Sequence, residues 1–405
     1  MEEIFVMDEP HASKERRKKS LFDLPDELLL AISEELAIEA APGFLHRNDD
    51  HDTWLAVTTL NSMARTSRRL HNIVEPLLYR TFRDNTTHIL RRTIIDTLDR
   101  KAELREHLNN ICYTTDHGDM DASSDQYPLQ YKNCVPDDRT MSEIYSTISA
   151  VPTERQKTVN QIVEITALII RSPNLQRLQL QPGSSAFSIW LFKWFNRAFH
   201  IGHELRTHLT TLRELAITVN SDVSQMAFAL ATKLPALETL EIRGAARGTH
   251  IADPHRLSPA QNSPVKHLRL IHYFLTPREL CLVLDWFIAL ESLHLDFAST
   301  PYEGSLDAQG QPVYDLDLHL QEISQGLIRH KGSLKSVKLT VHHSLEDNIS
   351  TADPLSSLEG LDSFPHLKSL VLPDAFFSSA LLRGELSDTA QRLVAITKRI
   401  KSISG

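Results

Sequence analysis

The chain has 405 residues, 41% of them hydrophobic, and its 43 Lys and Arg against 52 Asp and Glu give a formal net charge of −9. That length suits two or three domains, and the acidic balance is the reverse of the basic surplus typical of nucleic-acid-binding proteins. No stretch approaches the roughly 20 consecutive apolar residues that a membrane span needs. We therefore expect no nucleic-acid partner and no membrane partner. A cytoplasmic and/or nuclear location also fits the few scattered cysteines, Cys112, Cys134 and Cys281.

Residues 1–19 are predicted to form a disordered basic tail that ends in the run KERRKK at residues 14–19. No apolar segment precedes a small-residue cleavage site there, so a secretory signal is not expected. The basic run has two interpretations that the sequence leaves open. It is either a nuclear localisation signal or a solvated tail ahead of the first helix.

The stretch LFDLPDELLLAI, residues 21–32, begins a helical region that is predicted to extend over residues 20–85. Pro25 suits the first position of a helix, because its missing N–H has no partner to lose there. Leu28, Ile32 and Leu36 then fall on one face at i, i+4 and i+8, with Leu24 packed at the entry. Further leucines beside this stripe make it wider than one buried face requires.

A polar interruption at residues 41–53 is predicted to be a loop, and a second helix is predicted from about Trp54 to Arg69. Leu60 and Met63 share one face of that helix, and Leu70 follows it. Two or three short helices bury too little surface to cover all of these leucines. The stripe is therefore either one side of an ordinary core or a contact for another protein.

The remaining residues, 86–405, repeat one pattern, in which apolar residues stand at the first, fourth and sixth positions of a six-residue stretch. Because alternate residues of a strand share a face, each copy predicts a short strand with one buried face. A degenerate early copy is Leu108/Ile111/Tyr113. The other copies are Leu175/Leu178/Leu180, Leu212/Leu215/Ile217, Leu237/Leu240/Ile242, Val265/Leu268/Leu270, Leu290/Leu293/Leu295, Leu334/Val337/Leu339 and Leu367/Leu370/Leu372.

Most copies follow a helical pattern, so each unit is predicted to be helix, tight turn and short strand. The predicted fold is α/β, a short helical region followed by an irregular solenoid with a parallel sheet on its concave face. Loops are predicted at residues 114–140, 246–264 and 299–315. The predicted helices are 158–171, 186–208, 222–233, 276–289, 316–327 and 387–401.

The variable positions of the predicted strands form rows across the stacked units. The middle row is Gln179, Ala216, Glu241, Arg269, His294, Lys338 and Val371, and the row after it contains Arg243 and Asp296. The row before it contributes His267. Two interpretations of this basic centre stay open: a solvated face with internal ion pairs, or a binding site for an acidic or phosphorylated segment. In the second, Arg243 and Arg269 project from the core and converge on one anion of a partner. The candidate residues for this site are Arg243, His267, Arg269, His294 and Lys338.

Catalytic and metal-binding motifs are not found. None of the 13 glycines has the spacing of a dinucleotide or phosphate loop, and Gly244 and Gly248 bracket Ala246 rather than a serine. His203 and His208 are separated by five residues, so they point to different sides of a helix. We expect no catalytic residue, no bound metal and no cofactor. The remaining weak candidates are a calcium-like loop at residues 119–130 and the pair His342-His343.

The segments Leu24-Pro25-Asp26-Glu27-Leu28 and Ser67-Arg68-Arg69-Leu70, followed by the repeats, resemble the F-box/leucine-rich-repeat protein family. The resemblance covers nearly the whole chain past residue 19. One departure is the insertion at residues 41–53, between the two F-box helices. Several spacings between repeat copies fall within the roughly 20 to 29 residues of leucine-rich repeats, and the others require insertions.

This resemblance implies a role. In that family the F-box leucines bind a Skp-family adaptor, which links to a cullin scaffold, and the repeats hold the protein that is to be ubiquitinated. Residues 20–80 would then bind the adaptor, and the repeats would bind a protein substrate that the sequence does not identify. The adaptor-binding residues implied are Leu24, Pro25, Leu28, Ile32, Leu36, Leu60, Met63 and Leu70.

The hypothesis from sequence is thus a non-catalytic, substrate-recognition subunit of a cullin-type ubiquitin ligase. One alternative is a leucine-rich-repeat interaction scaffold without a role in ubiquitination. Another is a hydrolase or transferase in an irregular α/β domain. Adaptor binding separates the first two from the third, and ubiquitination of a bound protein separates the first from the second.

Overall fold

A computed structural model describes residues 23–40, 50–84, 88–114, 162, 164–169, 171–181, 191, 209–218, 228, 231, 233–244, 263–273, 277–297, 316–341 and 360–373. The chain divides into two compact units, Met1–Leu78 and Tyr79–Gly405. We call the first the helical unit and the second the sheet unit. The predicted tail at 1–19 lies outside the described residues, as do nearly all of the three predicted loops.

The helical unit contains three helices: α1 (Asp26–Ala40), α2 (Asp50–Thr66) and α3 (Arg68–Leu78). The Pro25 carbonyl accepts the Leu28 and Leu29 N–H groups at 3.1 Å, which starts α1. The Ser67 hydroxyl accepts the Leu70 N–H at 3.1 Å and caps α3. Helix α2 begins at Asp50 rather than near Trp54, so the last part of the predicted 41–53 loop is helical.

The core of the helical unit uses a different face of α1 from the one predicted. The buried residues of α1 are Leu29, Ser33 and Ala37, one position along from Leu28, Ile32 and Leu36. The Ser33 hydroxyl is satisfied within the helix, because it donates to the Leu29 carbonyl at 2.7 Å. From the other two helices, the residues buried are Ala56, Leu60, Ala64, Leu70 and Val74.

The sheet unit contains nine described strands, all parallel and paired in chain order from the first to the last. Each strand is therefore hydrogen-bonded to its neighbours in the sequence of strands. The strands are β1 (Thr81–Asp84), β2 (Asn110–Thr114), β3 (Arg177–Gln181), β4 (Glu214–Thr218), β5 (Thr239–Arg243), β6 (His267–Tyr273), β7 (Ser292–Phe297), β8 (Ser336–Val341) and β9 (Ser369–Val371). The predicted α/β class and parallel sheet are confirmed.

Among the described residues, helical segments lie between several neighbouring strands, which is the usual crossover between parallel strands. α4 (His88–Arg100) and a 3₁₀ helix (Ala102–His107) lie between β1 and β2, α5 (Pro277–Leu284) between β6 and β7, and α6 (Leu316–Leu327) between β7 and β8. Residues 164–169 are helical between β2 and β3. The predicted helix 387–401 and most of 186–208 lie outside the described residues. The helix expected over residues 276–289 ends at Leu284.

The repeated apolar pattern forms the core of this unit. The second and fourth residues of the five-residue strands, such as Leu240 and Ile242 in β5, are buried at 2% exposure or less. The apolar residue three positions earlier, Leu237 in this repeat, is buried as well. Each repeat therefore contributes three apolar side chains to one continuous core, as the pattern predicts.

The first strand was not predicted. Thr81–Asp84 pairs with Asn110–Thr114 and belongs to the sheet, whereas the predicted helical region 20–85 includes residues 81–84. The division between the units falls between Leu78 and Tyr79. β1 has four residues, and among Thr81, Phe82 and Arg83 only Phe82 is buried in the core, so the alternation that identifies the later strands is missing.

Candidate functional site

Two candidate surfaces follow from the sequence, one on each unit. Within the described ranges, no group of three or more His, Cys, Asp or Glu side chains is placed to hold a metal ion. The pair His203/His208, the loop at residues 119–130 and His342-His343 lie outside those ranges. None of the described helices is long and apolar enough to cross a membrane.

On the helical unit, the predicted adaptor-binding residues separate into exposed and buried groups. Leu28 is 51% exposed and Ile32 is 42% exposed, one turn apart on α1, and Pro25 is exposed beside them. Leu24, Leu36 and Met63 are half-buried, the last two at the margin of the core. Among the predicted adaptor-binding residues, Leu28 and Ile32 therefore present the apolar surface that is accessible to a partner.

Leu60 and Leu70 do not belong to that surface. Both are only 1% exposed and lie in the core of the three helices, so the prediction that they contact a partner is wrong. The physical reason is that α1, α2 and α3 all pack against one another, which buries the side chains between them. Two other apolar side chains of α2, Leu55 and Val57, are about half exposed instead. No sequence signal identifies them, because they lie outside the predicted stripe.

The start of α1 is tied to the start of α3. The Arg69 Nε donates to Asp26 Oδ1 at 2.5 Å, and Arg69 Nη2 donates to the Leu24 carbonyl at 2.7 Å. Both side chains of the ion pair are substantially exposed, so its contribution to stability is small. Its effect is positional, since it holds the Leu24-Pro25 segment beside the exposed residues of α1.

On the sheet unit, the predicted rows are confirmed as register partners. Glu241, Arg269, His294, Lys338 and Val371 are consecutive partners across β5 to β9. We call the side of the sheet that bears these residues the open face, because the opposite side forms the core. Neighbouring strands are about 4.8 Å apart, so this spacing separates successive residues of the row.

Burial along this row is uneven. Cys112, Gln179, Ala216 and Glu241, from β2 to β5, are all buried, whereas Arg269, Lys338 and Val371 are exposed and His294 is half-buried. The sequence predicts that the whole row from Gln179 to Val371 lies on the surface, and for β3 to β5 this is wrong. The accessible part of the open face is therefore the part formed by β6 to β9.

Arg243 and Arg269 converge on an anion, but the anion is internal. Arg243 Nε lies 2.6 Å from Glu241 Oε1, and Arg269 Nη1 lies 3.4 Å from Glu241 Oε2. The Glu241 side chain is 1% exposed, so its charge needs both arginines. The interpretation as internal ion pairs is confirmed for this pair, and Arg243, at 23% exposure, is mainly a structural partner.

His294 lies between Arg269 and Lys338 in the same row. Burial lowers its pKa to about 4, helped next by the positive charge of Lys338 and more weakly by Arg269 and Arg243, while Asp296 opposes the shift. The imidazole is therefore neutral at pH 7. Its Nε2 lies 3.5 Å from the Thr340 hydroxyl.

Both carboxylate oxygens of Asp296 have partners within the sheet. The Thr340 hydroxyl donates to Asp296 Oδ1 at 2.6 Å, and His272 Nδ1 lies 3.1 Å from Asp296 Oδ2. His272 has φ of 50° and lies where the β6–β7 register shifts, a bulge that turns its side chain towards Asp296. His267, the remaining predicted site residue, is hydrogen-bonded to the Ser292 hydroxyl at 2.8 Å.

Comparison of the chain with protein-family models and with curated proteins found no match.

Proposed function

We propose that the protein is a non-catalytic substrate-recognition subunit of a cullin-type ubiquitin ligase. In this proposal the helical unit is an F-box that binds a Skp-family adaptor, and through it a cullin scaffold. The sheet unit is a leucine-rich-repeat solenoid that binds the protein substrate. The subunit supplies no reacting group and raises the concentration of substrate near a ubiquitin donor held elsewhere, in the cytoplasm or the nucleus.

One observation carries the adaptor proposal. Leu28 and Ile32 remain exposed on α1, although the core of the three helices is already filled by Leu29, Leu60 and Val74. An ordinary core would have turned these two side chains inward. Burying a Leu or Ile side chain contributes about 1.5–3 kcal/mol, so covering both favours association with a partner.

The solenoid proposal rests on the strand order. Parallel strands that pair strictly in chain order, with β2 to β9 all carrying the same apolar pattern, are what stacked helix–strand repeats produce. Such stacking leaves one face of the sheet available for a partner. That face is where the proposal puts the substrate.

The direct test measures binding of the purified full chain to a purified Skp-family adaptor. We expect the double substitution Leu28→Asp with Ile32→Asp to abolish binding. Leu30→Asp is the matched control, because Leu30 is an equally exposed leucine of the same helix that points away from Leu28. Wild-type binding by the double variant would contradict the proposal.

A second experiment separates the ligase subunit from a repeat scaffold without ubiquitination. The full chain, the adaptor, the cullin scaffold and the other ligase components are reconstituted with proteins captured by the chain. Ubiquitin transfer to a captured protein that depends on Leu28 and Ile32 supports the ligase subunit. Capture without transfer supports the scaffold.

A further inference from the structure

The accessible part of the open face has a defined set of side chains. Its middle row runs Arg269, His294, Lys338 and Val371 across four adjacent strands. Arg269 has a side chain 44% exposed, and Val371 is 43% exposed. A ligand that lies across β6 to β9 therefore meets two cations separated by a histidine, and then an apolar residue.

Lys338 differs from the other charged side chains of this region. Three cations, Arg243, Arg269 and Lys338, lie near two carboxylates, Glu241 and Asp296, and burial keeps His294 neutral. Glu241 is shared by the two arginines, and Asp296 is engaged by Thr340 and His272. Lys338 makes no hydrogen bond or ion pair with any other described residue. The charge of Lys338 is therefore the one that a ligand can pair with.

Small polar residues lie along one side of this row. Ser292, Ser336 and Ser369 are register partners on β7, β8 and β9, each half-buried and two positions before His294, Lys338 and Val371. Their short side chains leave space beside the longer ones of the row. The hydroxyls of Ser336 and Ser369 can donate to or accept from the backbone of an extended chain laid in that space, whereas that of Ser292 is bonded to His267.

We propose that the β6–β9 part of the open face binds an extended acidic segment of a partner protein, with one carboxylate side chain between Arg269 and Lys338 and an apolar side chain against Val371. The segment belongs to the substrate, and to that extent the inference rests on the proposed function. A single carboxylate matches the single charge of Lys338. A phosphate dianion would add uncompensated negative charge close to Asp296 and Glu241, which makes it the poorer match.

The test uses the full chain and degenerate peptide libraries with one fixed central residue followed by a fixed leucine. The central residue is Glu, Gln or phosphoserine, and binding is measured by fluorescence anisotropy. We expect the Glu library to bind roughly tenfold more tightly than the Gln library, the gain of one charge-assisted hydrogen bond. Binding should weaken as salt rises, because the charges are largely exposed.

Two variants locate the site. Lys338→Met keeps the aliphatic stem and removes the charge, and should reduce the preference for Glu over Gln to near unity. Val371→Asp should weaken binding of the Glu library. The matched control is Lys368→Met, since Lys368 is an exposed lysine that precedes β9 and does not lie in the row. It should retain the affinity and preference of the wild type.

Four results would overturn the inference: no library binds, Glu and Gln bind equally, phosphoserine binds more tightly than Glu, or Lys368→Met loses as much affinity as Lys338→Met. Adaptor binding, measured on the same preparations, separates this inference from the proposed function. A chain that binds the adaptor but shows no Glu preference overturns the ligand class alone. A chain that binds the Glu library but no adaptor supports the acidic site and overturns the ligase role.

Discussion

Arg243 Nε lies 2.6 Å from Glu241 Oε1, two residues away on the same strand and the same face of the sheet. Glu241 is 1% exposed, so this contact, together with that of Arg269 on β6, keeps a charged carboxylate in a buried position. The arginines of the predicted binding surface are thus partly committed to the fold. Substitutions of these arginines will therefore change stability as well as binding, so binding must be tested at other residues of the surface.

Reversing both charges, Arg243→Glu with Arg269→Glu, is expected to destabilise the protein. It would place two carboxylates beside the buried Glu241, and removing the partner of a buried charge costs about 3–5 kcal/mol. Adding Glu241→Gln to the double variant should restore part of the loss, because it removes the buried charge. The free energy of unfolding from urea titration measures both effects. Equal stability of wild type and the double variant would show that Glu241 is not held by these arginines.

Leu28 and Leu29 are adjacent leucines of α1 with opposite expected behaviour. Leu29→Ala should cost about 2–5 kcal/mol, because it opens a cavity in the core of the helical unit. Leu28→Ala should change stability by less than about 0.5 kcal/mol, since the side chain is half exposed. Denaturant unfolding followed by circular dichroism separates the two. If Leu28→Ala lost more stability than Leu29→Ala, the face predicted from the sequence would be the one that forms the core.

The sequence predicted the sheet well because a strand has a period of two residues. Once Leu240 and Ile242 are assigned to the core, Glu241 and Arg243 must share the other face, and the register follows from aligning the repeats. Burial of Glu241 could not be predicted in this way. The period gives the side of the sheet, but it does not say which strands have an accessible open face.

Helix α1 shows a different limit. Two overlapping stripes satisfy helical spacing, one through Leu28 and Ile32 and one through Leu29, Ser33 and Ala37. Hydrophobicity favours the first, but the structure buries the second. Small side chains, Ala37 here and Ala56 and Ala64 on α2, allow helices to approach closely, and the internal bond of Ser33 removes the cost of its hydroxyl. Neither effect appears in a count of apolar residues.

Stability should fall with pH below about 6.5 partly through His294. Its pKa in the folded protein is about 4, below the ordinary 6.5, so the unfolded chain binds more protons between those values. The stability linked to this group is complete above pH 6.5 and is lost as the pH falls towards 4. The slope from one such group stays under about 1.4 kcal/mol per pH unit.

The measurement is the free energy of unfolding at pH 7, 6 and 5 for wild type and His294→Asn. The variant should lose less stability over this range than the wild type. His366→Asn, a substitution of an exposed histidine before β9, is the control and should follow the wild type. Identical pH dependence in His294→Asn and wild type would contradict the prediction.

Gly326 of α6 lies close against α5. A Cβ atom at this position would lie 2.9 Å from Leu284 Cδ1 and 3.2 Å from Cys281 Sγ. Leu284 is fully buried and cannot move aside without opening the core. Gly326→Ala therefore combines a gain of about 1 kcal/mol in helix propensity with an overpacking cost of about 1–3 kcal/mol. We expect a net loss of stability.

Gly332→Ala, where a Cβ meets nothing within 4 Å, is the matched control and should be neutral. The measurement is the free energy of unfolding of both variants from urea titration. A Gly326→Ala variant more stable than the wild type would show that the two helices pack less closely than this contact requires.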